Sequence, residues 1–389
     1  MSTPVYITQT AAFLPNDPVD NDRMEQVLGQ VGNRPSRARR TILRSNGIRT
    51  RHYAIDPQTG LSTHTNAQLT AAAVRALGDG FPLEQIDCLA CGTSIPDQLM
   101  PNHAVMVQGE LGLPPLEAVA TSGVCLSGIT ALKYAYLSIA SGQHRSAVAT
   151  GSEASSSMLC ARNYDGEASA FESEAQLQQL ETQPELAFEK DFLRWMLSDG
   201  AGAFLLQPQP RAAALSLRID WIEIFSYAGE MPPCMYAGAL KNADSTLTGW
   251  AQLRSSERSQ HSVMAVKQDV KLLNDNVIHY TVEKPLAALV DKRQLRGSDI
   301  DFFLPHYSSE FFRNRVFEGL RNVDVDIPFE RWFTNLTVKG NTGAASMYIM
   351  IDELLKSGRL QAGQRLLCYV PESGRFSSGF MHLTVVHGE

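Results

Sequence analysis

Thr121-Ser122-Gly123-Val124-Cys125-Leu126-Ser127-Gly128 opens a small-residue helix that runs through residues 131–137 and stops at Ser141-Gly142. A second stretch, Gly340-Asn341-Thr342-Gly343-Ala344-Ala345, opens a similar helix that runs through residues 347–355 and stops at Ser357-Gly358. Cys125 to Gly142 spans 17 residues, and so does Asn341 to Gly358. Each helix ends in a glycine suited to a left-handed C-cap. Each is followed by an apolar run, 147–149 and 366–370, that reads as a buried strand.

Matching strands also precede them, Ile86-Asp87-Cys88-Leu89-Ala90-Cys91 and Ile300-Asp301-Phe302-Phe303-Leu304-Pro305. Asp87 lies 38 residues before Cys125, and Asp301 lies 40 before Asn341. Four landmarks in one order at near-equal spacing predict two strand–helix–strand units related by pseudo-symmetry. Strands alternating with helices predict a mainly parallel α/β sheet. The halves divide near Gln207-Pro208-Gln209-Pro210, giving units over 1–207 and 208–389. The first half carries an extra polar segment over about 160–197, within which 187–197 reads as an amphipathic helix. Such an insertion either shapes substrate access or decorates the surface.

The 389 residues are 44% hydrophobic and 19% charged, an ordinary globular composition that excludes a disordered chain. A net charge of −7 argues against nucleic-acid binding, which needs a concentrated basic surface. No apolar run approaches a membrane span, and residues 1–10 lack a basic start and an apolar signal core, so a cytoplasmic protein is expected. Six cysteines in a chain this long do not form a disulfide framework, so each is a small buried hydrophobe or a reactive thiol.

Cys125 has the context of a reactive thiol. A helix start presents unpaired N–H groups and partial positive charge, which favour the nucleophilic thiolate. Local context alone leaves a buried structural cysteine equally open. Cys88 and Cys91 have CxxC spacing but lie in a predicted strand with no second pair. A thiol needs partners. Of nine histidines, His306 follows an apolar strand and a proline, at the strand end where α/β sheets place ligands. Asn341 opens the helix that mirrors the Cys125 helix. Taken singly, His306 reads as a structural histidine and Asn341 as a helix cap. The duplication ties both to Cys125 across a pseudo-axis.

At these residues the chain resembles the thiolase superfamily, in its β-ketoacyl-acyl-carrier-protein synthase III branch. The resemblance rests on the Cys125 segment, Leu304-Pro305-His306 and Gly340-Asn341-Thr342-Gly343-Ala344-Ala345-Ser346. Weaker echoes are Gly47-Ile48-Arg49-Thr50-Arg51, Gly151-Ser152-Glu153 and Asp199-Gly200-Ala201-Gly202-Ala203. They run in the family's order from about residue 5 to 387. The resemblance implies a thiolase-like five-layered αβαβα fold from two halves and a homodimer. Cys125 would take an acyl group from an acyl carrier protein or coenzyme A thioester. His306 and Asn341 would polarise the second thioester and stabilise its enolate. The N–H groups of Cys125 and Gly374 would form the oxyanion hole. No metal and no cofactor is called for. A cysteine protease also uses Cys, His and Asn, but there the Asn orients the His; here Asn341 sits on the duplicate of the nucleophile helix.

The chain departs from the housekeeping pattern. The usual glycine-rich tail turn reads Glu372-Ser373-Gly374-Arg375-Phe376, Arg44-Ser45-Asn46 replaces an aromatic residue, and the insertion is long. The segments 35–40, 63–67 and 192–199 resemble the ketosynthase/cyclases of dialkylresorcinol and stilbene pathways, which join two acyl thioesters and close a cyclohexanedione ring. Within that subgroup Glu153 is a candidate acid/base; a helix cap or an arginine partner is the plainer role. Lys267 and Lys271, one turn apart on a predicted helix, are either a docking patch for an acidic carrier protein or a solvated face. Two further functions stay open: acyl transfer to an alcohol or amine, and a non-catalytic partner subunit of a ketosynthase.

Overall fold

The computed structural model describes residues 3–33, 35–36, 39–77, 80–164 and 193–389. Among them nine strands form the main sheet. In chain order they are β1 (Tyr6–Phe13), β2 (Cys88–Thr93), β3 (Glu117–Ser122), β4 (Ala147–Glu153), β5 (Gly200–Gln207), β6 (Leu215–Ser226), β7 (Phe302–Pro305), β8 (Arg365–Glu372) and β9 (Ser377–His387). In space they run β3-β2-β4-β5-β1-β6-β9-β8-β7.

That order is a duplication. Counting outward from the centre, β1, β5, β4 and β2 match β6, β9, β8 and β7, with β3 the extra edge strand. The pairing senses also match. β1–β5 and β5–β4 are antiparallel and β4–β2 parallel; β6–β9 and β9–β8 are antiparallel and β8–β7 parallel. The halves meet at β1–β6 through only two residue pairs, Tyr6 with Arg218 and Ile7 with Leu217. The expectation of a mainly parallel sheet is therefore corrected. Parallel pairing holds only where a helix returns the chain; β8 turns directly into β9, which forces antiparallel pairing.

Alternation along the strands builds the layers. Cys88 and Ala90 face the central core while Leu89 and Cys91 face the first outer one. Leu366, Cys368 and Val370 face the centre while Leu367 and Tyr369 face the second outer core. Period-two alternation with both faces apolar is what a sheet buried between helix layers requires. Between the half-sheets lie α3 (Ser127–Ala140) and α7 (Ser346–Lys356); outside the first half lie α1 (Asn66–Arg75) and α2 (His103–Leu111). Outside the second half lie α4 (Val270–Ile278), α5 (Lys284–Arg293) and α6 (Arg313–Arg321). The fold is α/β and thiolase-like, with helices on both sides of the sheets and between them. No helix among the described residues is long and apolar enough to cross a membrane.

The repeated aspartates do matching work. Asp87 accepts the N–H groups of Arg145 and Ser146 at the entry to β4, and Asp301 accepts that of Arg365, the first residue of β8. The repeat helices touch closely. Tyr348 donates its hydroxyl proton to the Gly128 carbonyl at 2.8 Å, and a Cβ added at Gly151 would come 2.1 Å from the Ala344 carbonyl oxygen. Most of the expected helix over 187–197 lies outside the described residues; within it Trp195 and Met196 are fully buried.

Candidate active site

The turn between β3 and α3 carries Cys125, half-buried. The regular helix starts at Ser127, two residues later than the thiol. The turn is tied by Ser127, whose hydroxyl donates to the Val124 carbonyl at 2.7 Å. In the second half, a 3₁₀ turn at Gly343–Ala345 precedes α7, so Asn341 does not begin the helix as its spacing suggests. Its side-chain Oδ1 instead accepts the N–H of Gly343 at 2.9 Å, across a turn in which Gly343 takes φ +49°. That fixes the amide and leaves Nδ2 as its donor. The Asn341 backbone pairs with the end of the insertion, donating to Met196 and accepting from Ser198.

His306 follows the last residue of β7, as the strand-end reading requires, and its N–H donates to the Tyr369 carbonyl at 2.8 Å. Cys125, His306, Asn341 and Glu153 all line one cavity. Its remaining wall is mainly apolar, with Leu193 and Leu197 from the insertion facing Leu273, Val277, Phe312 and Val316 from the second half. No lysine or arginine is among the described lining residues.

Burial governs the site's electrostatics. It lowers the His306 imidazole to about 4, so the ring is neutral at neutral pH and offers one donor and one acceptor nitrogen. It raises the Glu153 carboxyl to about 7, against the lowering effect of bonds from the Ser94 hydroxyl and the Ala344 N–H. Glu153 therefore has the capping role as well as a place in the cavity, and its described partners include no arginine. The Cys125 thiol is pushed well up, first by burial and then by Glu153 and Glu372. The helix-start expectation of an easily formed thiolate is thus overturned. The N–H groups of Val124 and Leu126, which would have favoured it, are already taken by Glu372.

Gly374 lies against the Cys125 turn, where an added Cβ would come 3.1 Å from Val124. Cys88 and Cys91 face opposite cores, so the CxxC pair cannot close on one metal. Lys267 and Lys271 do not share a helix. Asp269 caps α4 by accepting the Leu272 N–H, which leaves Lys267 in a short strand, its ammonium on the His261 carbonyl. Sequence reasoning missed Ser94 and Glu372. The signal for Glu372 was its place in a tail turn expected to be glycine-rich.

Residues 290–379 match the family model described as 3-oxoacyl-[acyl-carrier-protein] synthase III C terminal. The chain is 24% identical to a β-ketoacyl-[acyl-carrier-protein] synthase III of Koribacter versatilis over 377 residues, covering 96% of this chain and 95% of that one. Among solved structures it superposes on AbyA1, a tetronic acid condensing enzyme, with a TM-score of 0.72 and 22% identity over 98% of this chain and 99% of that one. OleA of Xanthomonas campestris, solved with bound lauric acid and lauroyl-CoA, gives a TM-score of 0.72 at 17% identity, covering 99% of this chain and 100% of that one. These likenesses establish that the fold is shared from end to end.

Proposed function

We propose that the protein is a ketosynthase that condenses two acyl thioesters through an acyl-Cys125 intermediate. The observation that carries this reading is the meeting of Cys125 from one repeat with His306 and Asn341 from the other in one apolar cavity. Cys125 Sγ attacks the first thioester carbonyl, its proton passes to a neutral base in the cavity, and the donor thiol leaves. The N–H groups of Cys125 and Gly374 receive the oxyanion. The second thioester then loses its carboxyl group as carbon dioxide, or an α-proton to the same base, and its α-carbon attacks the acyl-Cys125 carbonyl, forming the carbon–carbon bond as the acyl–Sγ bond breaks and Sγ is reprotonated. The enolate oxygen takes hydrogen bonds from the neutral His306 ring and the Asn341 amide. Two neutral donors suit an enolate that must go on to attack, because they do not trap it as a fixed cation would. The apolar wall suits an acyl chain. An acyl carrier protein or coenzyme A would deliver it. Incubation with acyl thioesters should add an acyl mass to Cys125, and Cys125→Ala should take none; acylation elsewhere refutes the reading.

Ring closure is favoured by one further feature, the buried Glu153 on the wall of the same cavity as Cys125, a carboxyl beyond the three condensing groups that burial favours in its protonated form. A β-ketoacyl thioester mixed with an α,β-unsaturated one should give a cyclised mass. A linear product removes this step and leaves simple condensation.

A homodimer fits the edge strand β3, which pairs on one side only, and the exposed Met100 and Leu137, 82% and 52% accessible. Light scattering at twice the 42.7 kDa chain mass supports it, and a monomer refutes it.

A further inference from the structure

We propose that Glu372 is a positioning residue for the nucleophile: its carboxylate clamps the turn that carries Cys125 and supplies the charge against which the thiol ionises. The inference rests on Cys125 being the acyl-accepting thiol. Glu372 ends β8, and its Oε2 accepts two hydrogen bonds, from the N–H of Val124 at 2.8 Å and of Leu126 at 3.1 Å. Those residues flank Cys125 on either side. One oxygen thus fixes both ends of the nucleophile's turn, and neither bond uses the Cys125 N–H assigned to the oxyanion.

The carboxylate is enclosed between the nucleophile turn and the tail turn. A Cβ added at Gly123 would come 3.2 Å from Oε2, and one at Gly374 3.5 Å from Oε1. Among the described residues the titratable groups around Cys125 are Glu153 from β4, Glu372 from β8, and His306, Tyr307 and Tyr369 on the cavity wall, and no lysine or arginine lines the cavity. With no cation to offset them, the carboxylates oppose a thiolate. The resting nucleophile is therefore held as a thiol in a fixed turn, and it loses its proton only as the acyl carbon is attacked.

Two substitutions separate the clamp from the charge. Glu372→Gln keeps an oxygen able to accept both N–H groups and removes the charge. Glu372→Ala removes both. The readout is the rate of Cys125 alkylation by iodoacetamide against pH, followed by peptide mass, with thermal melts to verify folding. Glu372→Gln should lower the midpoint by about one unit. Below the midpoint its rate should rise about threefold, because a less basic thiolate is also a weaker nucleophile. Glu372→Gln should keep acylation by acyl thioesters within a few-fold of wild type, and Glu372→Ala should lose at least about tenfold. If Glu372→Ala does not fold, the Glu372→Gln profile decides. An unshifted Glu372→Gln profile overturns the proposal. Alkylation needs no thioester, so a shifted profile in a protein that takes no acyl group refutes the ketosynthase reading and leaves the clamp standing.

Discussion

Glu153, the last residue of β4, accepts the N–H of Ala344 at 3.0 Å, at the turn that leads into α7. One carboxyl from the first repeat thereby caps the second repeat's helix entry while lining the cavity that holds Cys125. Its protonation connects the seam between the halves to the chemistry.

Stability should report that connection. Burial raises Glu153 from its ordinary 4.5 to about 7, so the fold prefers the protonated acid. Its contribution is fully present below about 4.5 and is lost as pH rises to about 7, a difference of about 3 kcal/mol. Glu153→Gln cannot lose it. The stability of the variant relative to wild type, measured by urea unfolding, should rise between pH 4.5 and pH 7.5; a constant difference would show that Glu153 does not titrate there.

The His306 ring, held at about 4 by burial, should show no titration of its Cε1 proton by NMR between pH 5.5 and 8. A midpoint near 6.5 would contradict the burial of the ring. Loss of condensation on the acid side above pH 5.5 must then come from another group. His306→Ala should lower condensation turnover by roughly 10²–10³.

Asn341→Ala should separate the half-reactions. Acylation of Cys125 should persist within a few-fold, while condensation falls by roughly 10²–10³ because the enolate loses a donor. Quenched-flow mass spectrometry reads both on one sample. Equal loss of both steps would give Asn341 a structural role, and loss of neither would favour simple acyl transfer.

Packing of strand β4 against the turn before α7 makes a further contrast. Gly151→Ala places a Cβ 2.1 Å from the Ala344 carbonyl oxygen, where backbone must move, and should cost about 3 kcal/mol or more. Gly142→Ala meets nothing within 4 Å and should cost about 1 kcal/mol, from its φ of +78° alone. Urea midpoints of the two variants give the ranking.

The duplication was legible because it leaves local marks. Gly142 and Gly358 do take φ +78° and +72° at the ends of the two helices, and Asp87 and Asp301 do serve equivalent strand entries. That symmetry tied Cys125, His306 and Asn341 together, and the three do line one cavity. What stayed hidden depends on contacts between distant segments. The antiparallel pairing of β8 with β9 arises from their direct turn, which alternation of strands and helices does not display. The high-lying thiol arises first from burial and then from Glu153 and Glu372, which other strands bring to it. Helix-start electrostatics gave the opposite sign, because a local rule cannot know that the N–H groups are already taken. Lys267 and Lys271 do not share a helix because Asp269 caps α4 between them.

The bond from Val124 to Glu372 joins residues 248 apart in the chain. During synthesis the cysteine leaves the ribosome long before the imidazole, the amide or the glutamate exists. Contacts of such long range close late in folding. A nascent or prematurely terminated chain therefore carries its thiol in a turn with nothing to hold it, without the burial and the Glu372 charge that keep it protonated in the finished fold. The thiol gains its fixed turn and its high-lying proton together when the last hairpin docks, so an unfinished copy differs from the finished chain in the reactivity of Cys125 as well as in shape.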